Sequence, residues 1–214
     1  AVMNYPFTTA VLDFFVERTL DAKGFADRLG RLLAAYPTRA TEVAFNLLGS
    51  HDTPRLLTRC DENAALMKLA ALVQFTFVGV PCVYYGDEIG LTGGHDPGCR
   101  KCMEWDPARQ NRDLYEFYRW LIALRRGAEA LRTGEFRVLR AEAGEQVFAY
   151  MRASGEERYA IVVNNQDRPA SVRIPLDEGV WTDVRTQEMP DISGGETEIA
   201  LEPYGFRIWR ASAR

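Results

Sequence analysis

Cysteine is scarce. Four residues in 214, Cys60, Cys82, Cys99 and Cys102, are too few and too scattered for the disulfide framework of a small secreted domain. A basic stripe is also missing. Twenty-six Lys and Arg stand against thirty Asp and Glu, for a net charge of −4, and the arginines are interleaved with acids. Such a surface is a solvated face and argues against nucleic acid as a partner. No apolar run is long enough to span a membrane. The longest, Leu69 to Tyr85, is interrupted by Gln74, Gly79 and Pro81 and reads as a buried helix entering a buried strand. No phosphate-binding loop is evident either, since "GLTGG" lies within a long loop and not at a strand-to-helix turn, so no cofactor is expected in this chain. The first residues, "AVMNYPF", hold no basic segment leading into an apolar one and no initiating Met. They read as a start after processing or inside a longer protein, and with free thiols they point to the cytoplasm.

What is present is enough apolar residue, 47% of the chain, for one large domain or two smaller ones. Up to residue 127 the pattern alternates between helix and short apolar strand. Thr8 can cap a helix running to about Glu17, and a second runs from Gly24 to Tyr36, where Pro37 stops it. "EVAFNLL" and "PCVYY" are compact apolar runs suited to strands buried on both faces, separated by a helix from about Asp61 to Phe77. Asp106-Pro107 has the form of a helix start, with the cap side chain followed by proline. Alternation of this kind means a parallel α/β sheet or barrel.

From Gly134 the period changes, and the boundary lies near Gly127 to Gly134. "EFRVLRAE", "EQVFAYMRA", "RYAIVVNN", "ASVRIPL", "VWTDVR", "TEIALEP" and "FRIWRAS" alternate as short strands between turn signals, and predict an antiparallel β-sandwich over 128–214.

In a parallel α/β architecture, functional groups gather at the carboxyl ends of the strands. The first end presents Ser50, His51, Asp52 and Arg55. The second presents Tyr85, Gly86, Asp87 and Glu88, followed by a long loop holding His95, Asp96, Arg100 and Trp105. A carboxylate in "YGDE" is as well suited to pairing with an Arg that ties loops together as to touching substrate. His95, Cys99 and Cys102 are possible zinc ligands, but a structural site needs four and no fourth lies near, so metal is not expected.

At these residues the chain resembles a known family. "FNLLGSHDTPR" and "GVPCVYYGDEIGLTGGHDPGCRKCMEWD" are similar to the α-amylase family of glycoside hydrolases, within it the neopullulanase, cyclomaltodextrinase and maltogenic amylase group. "VMNYPF" resembles the segment after the sixth barrel strand, and the end of the chain resembles the β-sandwich after the barrel. The resemblance implies the C-terminal segments of a (β/α)8 TIM barrel over 1–127, then the sandwich. It implies that Asp52 is the carboxylate that stabilises the oxocarbenium-like transition state, with His51 hydrogen-bonded to the same ring. It further implies that Asp96, Arg100 and Arg55 contact the sugar, and that the substrate is an α-glucan oligosaccharide.

Retaining glycoside hydrolysis needs a nucleophile and a general acid roughly 5 Å apart. In the family these stand on the fourth and fifth barrel strands. No Arg-x-Asp that closes a buried apolar strand occurs here, and Glu42 precedes its strand. The expected parent is a hydrolase of α-1,4 bonds in cyclodextrins, pullulan or maltooligosaccharides. The chain alone is expected to be inactive. The family's calcium loops and its dimerising N-terminal domain, the basis for a homodimeric parent, would lie outside it. The alternatives are a stand-alone fragment that binds α-glucan or is inert, and part of a transglycosylase or isomerase on the same barrel.

Overall fold

The computed structural model describes residues 2–177 and 179–212, which leaves Ala1 and, within the expected sandwich, Glu178 and the last two residues outside the description. In chain order the first half runs α1 (Tyr5–Phe15), α2 (Ala22–Ala35), α3 (Thr38–Glu42), β1 (Phe45–Leu47), α4 (Leu56–Arg59), α5 (Ala64–Thr76) and β2 (Val80–Cys82). After a loop with three single 3-10 turns come α6 (Arg112–Gly127) and α7 (Glu129–Thr133).

The helix starts are set by side-chain caps. Asn4 accepts the amide of Phe7 at 3.3 Å and Pro6 follows in the first turn, so α1 begins ahead of the expected Thr8. Thr8 instead donates its hydroxyl to the Leu47 carbonyl at 2.7 Å and pins α1 to β1. Asp106-Pro107 opens only one 3-10 turn, and α6 starts at Arg112. Asn111 decides this, because its side chain accepts the Leu114 amide at 3.0 Å while its own amide reaches the Ile89 carbonyl at 2.9 Å.

β1 and β2 pair in parallel, Phe45 with Val80 and Leu47 with Cys82, and Met3 bridges to Phe45. Both strands are shorter than expected, and they are not buried on both faces. The chain ahead of β1 forms α3, while Phe45 and Val80 stay 38% and 39% exposed. No further strand faces them among the described residues. The other face is held by buried amides. Asn46 receives Asn4 Nδ2 at 2.8 Å and donates to the Val78 carbonyl, while Gln74 Nε2 reaches the carbonyls of Asn46 and Cys82.

The second half is an antiparallel sandwich. One sheet orders β3 (Glu135–Ala141), β4 (Val147–Ser154), β5 (Glu157–Asn164), β10 (Phe206–Ser212) and β7 (Val180–Asp183). The other orders β6 (Ala170–Pro175), β9 (Glu196–Leu201) and the short β8 (Ile192–Ser193). Val147, Met151, Val162 and Trp181 face the smaller sheet, whereas Phe148, Tyr150, Ile161 and Val163 face the helices of the first half. The larger sheet is therefore a middle layer, which is why β4 and β5 are nearly continuous apolar runs. Phe25 stacks on Phe14 at 4.6 Å between ring centroids and meets Phe148 edge-on at 5.0 Å, so one core crosses both halves.

Candidate functional site

Past β1 the chain turns through Gly49 and Ser50 to present His51 and Asp52. Local hydroxyls shape this turn: Ser50 Oγ accepts the Asp52 amide at 3.2 Å, and Thr53 Oγ1 accepts the Ser50 amide at 3.0 Å. Gly49 is needed because a Cβ there would stand 2.9 Å from Asp87 Oδ2. The His51 and Asp52 side chains are 66% and 60% exposed, with Nε2 and Oδ2 3.3 Å apart.

The loop after β2 closes over this turn. Gly86 takes a left-handed φ of 86°, which lets the chain reverse into the 3-10 turn Asp87–Ile89. Farther on, Arg100 Nε donates to the His51 carbonyl at 2.9 Å and lies 2.8 Å from Asp96 Oδ1. Its Nη2 is 3.4 Å from Asp52 Oδ1. His51, Asp52, Asp96 and Arg100 are thus brought together on one exposed face. Trp105, 79% exposed, stands on the same loop.

Arg55 departs from the expectation. It is 0% exposed, so it is not a direct sugar contact in this structure. Its guanidinium lies between the rings of Tyr84 and Tyr85, 4.1 and 4.5 Å from their centroids. Nε donates to the Cys99 carbonyl at 2.9 Å, and Nη1 donates to the Tyr85 carbonyl and to Asp87 Oδ1 at 3.2 Å. The carboxylate of "YGDE" is therefore a loop tie. Burial pushes the Asp87 carboxyl up to about 7, against the pull of Arg55 and with a small push from Glu88.

One functional contact was not visible in the sequence. The Cys99 thiol, buried, donates to the His51 carbonyl at 3.1 Å, whereas Cys102 is exposed. "CRKC" raises the question of metal or free thiol, and nothing in the chain signals a hydrogen bond to a residue 48 positions away. Among the described residues no three His, Cys, Asp or Glu gather as a metal site. Chemically, the face offers two exposed carboxylates, Asp52 and Asp96, with the His51 imidazole beside the first and the Arg100 guanidinium between them. That set can bind vicinal hydroxyls and oppose developing positive charge.

Parallel strands wrapped by helices, polar groups collected at the strand ends and a trailing sandwich define the class: the last segments of an α/β barrel enzyme with its C-terminal domain. The family model described as alpha amylase, catalytic domain, matches residues 1–134, and that for the maltogenic amylase C-terminal domain matches 136–208. The chain belongs to the α-amylase family of glycosidases.

Among its relatives, a cyclomaltodextrinase of a Bacillus species is 54% identical over 173 residues, covering 81% of this chain and 31% of the relative. A cyclomaltodextrinase of Geobacillus thermopakistaniensis is 46% identical, covering 98% of this chain and 36% of the relative. An intracellular maltogenic amylase of Bacillus subtilis is 49% identical over 135 residues, covering 62% of this chain and 23% of the relative. A solved cyclomaltodextrinase structure superposes with a TM-score of 0.93 at 45% identity, covering 98% of this chain and 36% of that one. The chain thus spans about a third of the length of these cyclomaltodextrinases.

Proposed function

We propose that this chain is the C-terminal part of a retaining hydrolase of α-1,4 glucosidic bonds in cyclodextrins, pullulan or maltooligosaccharides. Asp52 supplies the carboxylate that stabilises the transition state, and His51, Asp96 and Arg100 bind the sugar. The observation that carries the reading is the convergence of these four side chains on one exposed face at the end of β1. An anionic carboxylate beside an oxocarbenium-like centre is worth most where charge develops, and the imidazole and guanidinium hold hydroxyls around it.

The nucleophile and the general acid are assigned to barrel strands outside these residues, so the chain alone is inactive. Calcium loops and a dimer interface belong to the same outside part. The cytoplasm is the proposed compartment. It is supported by the name of the Bacillus subtilis relative and by four free cysteines. No helix among the described residues is long and apolar enough to cross a membrane.

The test is to read the coding frame upstream of Ala1, express its whole product and assay release of reducing sugar from β-cyclodextrin. Activity in the whole product, none in the 214-residue chain and loss on Asp52→Asn is the expected result. Near wild-type turnover by Asp52→Asn would sink the assignment.

A further inference from the structure

Arg55 contacts neither His51 nor Asp52, yet its partners surround both. Its backbone amide donates to the Gly93 carbonyl at 2.9 Å, and its side chain holds the Tyr85 carbonyl, Asp87 and the Cys99 carbonyl. Cys99 then gives its thiol to the His51 carbonyl. The next residue, Arg100, donates to that same carbonyl and reaches Asp52. Asp87 backs against Gly49, one residue before the turn. One buried cation therefore joins the end of β2, the 3-10 turn and the far arm of the loop to the turn that carries the exposed pair.

We propose that Arg55 is a positioning residue that sets Arg100 and Asp96 against His51 and Asp52, so that oligosaccharide recognition depends on a side chain the sugar never touches. The proposal rests on the reading of these four residues as sugar-binding. The geometry calls for a guanidinium in particular. A planar group between two tyrosine rings can send Nε to the far arm of the loop and Nη1 to its near arm. An ammonium on a Lys stem keeps the charge beside Asp87 but not the two directed bonds. Cys99 and Arg100 lie in a single 3-10 turn within the loop, and the other side chains that reach this arm, Tyr84 to the Cys99 carbonyl at 3.5 Å and Tyr85 to the Lys101 carbonyl at 2.6 Å, are the two rings that clasp Arg55.

The cysteines give a direct readout, because they sit at different depths. Cys102 is exposed, Cys99 is buried at the loop, and Cys60 is buried in the helical core, where burial pushes its thiol up to about 12. Arg55→Met and Arg55→Lys versions of the 214-residue chain would be labelled with N-ethylmaleimide and read peptide by peptide. Maltotriose affinity of the same proteins would be measured by calorimetry.

In both variants Cys99 labelling is expected to rise by at least about tenfold while Cys60 stays protected. Maltotriose affinity is expected to fall by about tenfold or more. Protection of Cys99 with unchanged affinity overturns the proposal. So does parallel exposure of Cys60 and Cys99, which would make Arg55 a general support of the fold, and so does full rescue by Lys. Absence of maltotriose binding by the unmodified chain would instead strike the sugar-binding reading, and the thiol labelling would still decide whether Arg55 holds the loop.

Discussion

Arg152, carried by β4 in the sandwich, donates to the carbonyl of Thr76, the last residue of α5, across 2.6 Å. It also takes the carbonyls of Leu131 and Gly134, and Arg125 from α6 takes those of Phe75, Phe77 and Gly79. Two guanidiniums thus meet the negative end of one helix, where its last carbonyls lack partners. Burial brings each down to about 10, so both are charged at neutral pH. The sandwich is joined to the first half by ionic hydrogen bonds as well as by apolar packing.

Arg152→Met is expected to lower unfolding free energy by about 3 kcal/mol, because several buried carbonyls lose their donor at once. Chemical denaturation of the 214-residue chain measures it. A loss below about 1 kcal/mol would mean that water replaces the guanidinium.

Phe148→Ala removes the ring on which Phe25 and Phe14 lean from the other half. The expected cost is about 3–5 kcal/mol, from lost burial plus the cavity left behind. One cooperative transition should become two if this contact couples the halves, and calorimetry distinguishes the cases.

Asp52→Asn should leave stability within about 0.5 kcal/mol of the parent chain, since the side chain is largely exposed. In the whole product the same change should cost roughly 10²-fold or more in turnover. An equal loss of stability and activity would argue that Asp52 builds the turn and does not act on sugar.

Asp87 predicts a pH dependence. Its carboxyl is raised from 3.8 to about 7 in the folded state, so folding favours the protonated form. That contribution is fully present below the unfolded value and is lost as pH rises through about 7. Relative to Asp87→Asn, the unmodified chain should gain stability as pH is lowered from 8 towards 4. The opposite slope would mean that the pull of Arg55 outweighs burial.

Much of this was legible in the sequence, and the rest was not, for reasons of range. Apolar runs at "FNLL" and "PCVYY" mark strands because their side chains must leave water wherever the fold puts them, and alternation after residue 134 marks the sandwich in the same way. The "HD" turn at the end of a strand is equally local. Tertiary contacts decided the extent of the elements. Asn111 started α6 because Ile89 was within reach, and α3 runs to Glu42, so that the strand expected over the apolar run begins only at Phe45. They decided the role of Arg55 as well. As a type, arginine belongs at the surface or on a ligand. Here an acid 32 residues away, a carbonyl 44 residues away and two tyrosine rings provide what water would have given, and the charge goes inside.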